Sequence, residues 1–178
     1  MHNGFGVHTA EGVLGGALGT LLMRGATRMT RRLPSTLLPT RPRRDPADLL
    51  VKKLEDLRRR PLPWAVHEGL AQGLHWAYGI AWGGLFGLVT THVRIRTIGD
   101  AAKAGAALGG AVWVIEDVCV LPLLRLTPPV HRQGARHAAA SLIEHIAYGV
   151  ASALPIYVAD RVTRRRPWYE RVLAAIGW

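Results

Sequence analysis

Four histidines stand in two matched settings. His67, His75, Tyr78 and Gly79 recur as His137, His145, Tyr148 and Gly149, each 70 residues later, and Ala81 and Ala151 match as well. Both copies read H-x7-H-x-A-Y-G. Carboxylates lie close by: Glu116 and Asp117 as a pair, Glu144 directly before His145, and Glu68 directly after His67. Imidazole titrates near neutral pH, so His with carboxylate and phenol has four chemistries open to it. The groups can hydrogen-bond across helices and fix their register. They can pass protons or ions along a chain of titratable sites. His75 and His145 can ligate a haem iron, or a transition metal together with Glu116 or Asp117. His145 with Glu144 or Asp117 can serve an intramembrane enzyme as acid and base. No C-x2-C, H-E-x-x-H, phosphate loop or nucleophile motif accompanies them. The metal reading and the enzyme reading therefore rest on the histidines and acids alone.

Residues i and i+3 share a helix face, which places His75 with Tyr78 and His145 with Tyr148. His67 and His75, eight apart, lie on one broad side about 12 Å apart along the axis. By the internal match, His75 and His145 belong near mid-helix, with His67 and His137 nearer one end. The halves have diverged in their acids. Leu74 stands where Glu144 stands in the second copy, and Ala138 where Glu68 stands in the first.

The segments that hold these residues are apolar. Residues 69–91 contain no Asp, Glu, Lys or Arg; residues 104–124 carry only Glu116 and Asp117; residues 138–159 carry only Glu144. Each has about the 20 residues that cross a bilayer as a helix. Residues 1–23, interrupted by Glu11, form a weaker fourth segment. The sequence thus predicts an all-α integral membrane protein, with helices near 7–29, 65–90, 102–124 and 137–159. Mean hydropathy is only +0.12, because basic stretches at 40–62 and 161–171 dilute the apolar spans.

A second echo joins the first helix to the third. Leu14-Gly15-Gly16-Ala17 recurs as Leu108-Gly109-Gly110-Ala111, and Pro34 as Pro128, 94 residues on. The chain divides accordingly into repeat one (1–97), repeat two (98–160) and a basic, aromatic interfacial tail (161–178). Two helices per repeat put both repeats in the same direction, as a parallel four-helix bundle related by an axis along the membrane normal. The unequal displacements leave repeat one with an insertion at 41–64. Asp45-Pro46 starts a helix there, and Leu50, Leu54 and Leu57 recur among Lys52, Lys53 and Arg58 to Arg60. A basic amphipathic helix of this kind lies on anionic lipid, through residues 41–62. Six G-x3-G pairs, among them Gly12/Gly16, Gly69/Gly73, Gly83/Gly87 and Gly105/Gly109, let helix backbones approach within the bundle or between copies in a homo-oligomer. Pro155 falls inside the last helix, where it favours a kink.

The net charge of +11 does not indicate nucleic acid. The Lys and Arg sit between and after apolar spans, as the loops of a membrane protein do. The two connections on one side of the bundle carry fifteen of them and the other side eight, so both termini are expected outside the cytoplasmic membrane. The single Cys119 forms no intrachain disulfide. The first segment has no basic start and does not read as a cleaved signal.

The order of motifs resembles the YagU-like family of bacterial inner-membrane proteins. The resemblance is carried by Ala26-Thr27-Arg28-Met29 closing a Gly-rich helix, His75 to Gly79, and Trp113 with Glu116 and Asp117 running to Pro122, Leu126 and Pro128. His145 to Gly149 then closes the pattern. It covers most of the chain and implies a small multi-pass protein associated with acid resistance; no cofactor is expected, with haem or a transition metal as the alternative. The basic insertion and Arg125 in the proline turn depart from the pattern.

Overall fold

The computed structural model describes residues 3–30, 45–91, 93 and 95–164. These residues are all-helical, with no strand among them. Helix α1 spans Asn3–Thr30, α2 Pro46–Arg58 and α3 Trp64–Thr90. Helix α4 spans Ile98–Trp113; it continues through a π-helical segment, Val114–Val120, into a last turn α5, Leu121–Leu123. The short α6, Val130–Gln133, precedes α7, Ala135–Arg164. Residues 41–44 of the anticipated insertion and the interfacial tail from 165 onward lie outside the described residues.

The helix ends follow from local chemistry. Asp45 caps α2 by accepting from the Ala47 N–H at 2.9 Å, with Pro46 in the first turn where its missing N–H costs nothing. Thr97 and Asp100 form a reciprocal capping box at the start of α4, so that helix starts before residue 102. The π segment was not foreseen. Pro122 has no N–H to offer the preceding turn, and the Leu121 N–H reaches the Glu116 carbonyl instead, one residue further back than an α-helix allows.

Each long helix lies antiparallel to the helices it touches. Helix α1 packs against both α3 and α7, α7 also against α4, and α2 against α3. The interfaces are built on glycine. Gly12 and Gly16 of α1 meet the backbone of Gly79, Gly83 and Gly87, and Gly105 and Gly109 of α4 meet that of Gly149 and His145. A side chain there would press into a backbone carbonyl. The two pairs use different glycines: Gly16 meets Gly79, whereas Gly110, its counterpart in sequence, has nothing within 4 Å. Gly69 and Gly73 also face open space.

Two helical stretches, Ile98–Leu123 and Ala135–Val162, are long and apolar enough to cross a membrane. Helices α1 and α3 match them in length. The interior holds polar groups alongside apolar ones such as Phe86, Leu108, Val112 and Ile156. Thr20, Thr90, Asp117, Ser141, Glu144, His145 and Ser152 are buried, while Leu14, Leu21, Leu74, Leu85, Val114, Ile143 and Val158 face outward.

Candidate functional site: a buried acid–imidazole cluster

Helix α7 delivers His145 into the interior, where only 2% of it is exposed. Its Nδ1 lies 2.9 Å from the Ser141 carbonyl one turn earlier, so Nδ1 donates and carries the proton. The Ser141 hydroxyl donates to Asp117 Oδ2 at 2.7 Å. That carboxylate stands 3.7 Å from His145 Nδ1, and Glu116 Oε2 stands 3.6 Å from Nε2 on the other side of the ring. Two adjacent residues thus flank one imidazole. In a regular α-helix neighbours point about 100° apart; the wider π turn re-aims them. Such turns occur at functional sites.

The cluster extends to a third helix. The Tyr78 hydroxyl of α3 faces Glu116, and its ring meets Trp82 edge-on, with centroids 6.1 Å apart. Below it, the Tyr148 hydroxyl donates to the Gly79 carbonyl at 2.6 Å and ties α7 to α3. Glu116, Asp117, Ser141 and His145 form one polar cluster across the π segment and α7, with the partly exposed Tyr78 of α3 at its edge. Glu144 is buried beside His145 in sequence, with partners of its own.

The remaining histidines stand elsewhere. His75 Nδ1 pairs with Asp45 Oδ2 at 3.2 Å, at the N-cap of α2, and its Nε2 is buried without a hydrogen-bond partner. His67 is held by Asp48 and Glu55 of α2, each at 2.9 Å. His137 is half-buried in the first turns of α7, about 12 Å along the axis from His145. Among the described residues, no three His, Cys, Asp or Glu converge as a metal ion would require.

Sequence reasoning missed four partners. Ser141 is one turn from His145 on the same face, a spacing that would have found it. Asp48 and Glu55 are seven apart and share the face of α2 that carries the buried Val51. Asp45 was read only as a helix cap. The electrostatics outside the spans follow from these contacts. The hydrogen bonds from His67 and the Leu62 N–H hold Glu55 below its ordinary carboxylate range. Burial pushes Asp45 up, but the hydrogen bond and charge of His75 outweigh it, and the net direction is down.

No family model, no curated protein and no solved structure matches this chain.

Proposed function

We propose that the chain is a multi-pass membrane protein whose buried acid–imidazole cluster holds and passes protons. The observation that carries the reading is the convergence of His145, Asp117 and Glu116 inside two apolar helices. Ionisable groups in hydrocarbon are expensive, face the bundle interior and mark proton or ion pathways. Leucine and valine on the outside with hydroxyls and carboxylates inside suit a lipid solvent better than water. All four long helices then cross, as two parallel repeats with both termini outside the bacterial cytoplasmic membrane. The YagU-like resemblance adds acid tolerance as the physiological setting. The outward Leu50, Leu54 and Leu57 of α2, 40–73% exposed among basic residues, suit the anionic inner leaflet. The open stripe of Gly69 and Gly73 suits helix pairing between copies.

The test is proton flux in liposomes carrying a pH gradient, followed with an entrapped pH dye. Wild type should dissipate the gradient faster than empty vesicles. Glu116→Gln and Asp117→Asn should slow it at least about tenfold while the protein stays folded, since the chain loses a titrating group. Flux equal to that of empty vesicles, or unchanged in both variants, would overturn the proposal.

A further inference from the structure

Three carboxylates fasten α2 to the rest of the chain, and all three do so through histidines of α3. Asp45 meets His75 from one side only. Asp48 and Glu55 meet His67 from both sides, Oδ1 on Nε2 and Oε1 on Nδ1, each at 2.9 Å. The difference decides which histidine responds to pH. An ionised carboxylate only accepts, so a histidine between two of them must donate from both nitrogens. Only the imidazolium does so. A neutral His75 keeps its proton on Nδ1 and its bond to Asp45. A neutral His67 turns a bare nitrogen lone pair toward one of its two carboxylates and loses that bond.

We propose that His67 is a pH-operated clasp: its imidazolium pins α2 across one end of the bundle, and its deprotonation releases α2. Among the described residues, none of the cations near α2 takes its place between Asp48 and Glu55. Lys52, on α2 itself, reaches toward Asp56 at 3.9 Å and adds only its field at Glu55. On α3, Glu68 is engaged by the Gln72 amide at 2.8 Å. Arg24 of α1 bonds Gln72 and lends its charge to Asp45. From the link that follows α2, the Leu62 N–H also binds Glu55 Oε1, at 3.1 Å. Lys53 bonds the Leu124 carbonyl beyond α5, so the clasped helix spans from α3 to the α5–α6 turn. Apolar contact under α2 is small, resting on Ala47 and Val51, which leaves the ionic contacts to decide its position. The inference concerns α2 alone and stands whether or not the buried cluster moves protons.

The experiment is a pair of spin labels at Leu57→Cys and Leu123→Cys, two outward positions, in a Cys119→Ser background. Distances are read across the imidazole range, about pH 5 to 9. Nitrogen NMR of the histidines follows His67 in parallel. Below its transition both His67 ring nitrogens should be protonated, with a single short distance. As pH rises from the free-imidazole range through that transition, the ratio of longer to shorter distances should grow by up to about tenfold per pH unit and then level off. His67→Gln should show the longer population at every pH; if that variant fails to fold, Asp48→Ala with Glu55→Ala, which removes both acceptors, should do the same. A His67 neutral throughout the range, or a distance distribution unmoved while His67 titrates, would overturn the clasp.

Discussion

Asp117 is held from two directions, by a serine hydroxyl and an imidazole, and that double support sets what its removal should do. Asp117→Ala leaves the Ser141 hydroxyl without its acceptor in a buried site and removes the charge beside the His145 ring, which keeps the Ser141 carbonyl. A buried polar group stripped of its partner costs about 1–3 kcal/mol. Ser141→Ala removes only the donor, and Asp117 keeps the imidazole. Thermal unfolding in mild detergent should therefore rank Asp117→Ala well below Ser141→Ala; equal losses would mean that the serine, not the carboxylate, organises the site. Tyr148→Phe should cost about 0.6–1.7 kcal/mol, the range of interhelical bonds inside a membrane bundle. It deletes the 2.6 Å bond from the Tyr148 hydroxyl to the Gly79 carbonyl. At this scale the sequence was partly legible. An imidazole beside carboxylates in an apolar span announced His145, Glu116 and Asp117. The matched spacing also implied equivalent roles for His75 and His145, yet one faces the N-cap of α2 and the other the π segment. Contacts made by an inserted helix leave no trace in a repeat pattern.

The helices owe their pairing to missing side chains, and the glycines separate into two kinds that sequence spacing does not distinguish. Gly83 meets the backbone of Gly12 and Gly16, whereas Gly73 meets nothing within 4 Å. Gly83→Ala should cost about 1–3 kcal/mol, because the added methyl forces α1 and α3 apart. Gly73→Ala should be neutral or gain up to about 1 kcal/mol from helix propensity. Chemical unfolding of both variants checks the contrast. Loss of a copy–copy contact in the Gly73 variant, read by cross-linking, would place that stripe between chains. Helix α2 carries the second prediction at this scale. Glu55 and Asp45 titrate lower when α2 is docked than when it is free. Their contribution to docking is then complete above the ordinary carboxylate range, near pH 4, and is lost as pH falls through the lowered values. Hydrogen exchange of α2, corrected for the intrinsic rate, should rise on the acid side; exchange flat down to the unfolding of the whole protein would contradict this. The amphipathic pattern had foretold α2, but only its leucine face. The packed face is Ala47 and Val51 flanked by acids, and it reads as unremarkable polar sequence until α3 supplies its histidines.

For the whole molecule, the antiparallel order of α1, α3, α4 and α7 puts α2 and the 124–134 connection at one end, and the 91–97 connection at the other. The Lys53 bond to the Leu124 carbonyl joins the first two directly. The order of the helices in the sequence already puts these two connections at one end, and the basic residues gathered there lead to the expectation that this end faces the cytoplasm. The sequence did not foretell that α1 and α7 would pack together at the centre, which depends on Gly15 and Gly19 meeting Ser152 and Tyr148. If the chain spans the bilayer with its basic end inward, single cysteines in a Cys119→Ser background should label by side. Arg60→Cys and Arg132→Cys, both at exposed positions, should resist a membrane-impermeant maleimide in intact cells and react after permeabilisation. Arg96→Cys, exposed at the opposite end, should react in intact cells. The reverse pattern would keep the fold and invert the orientation. Reaction of all three without permeabilisation would remove the bilayer from the account, and with it the reason for burying His145, Asp117 and Glu116 in an apolar bundle.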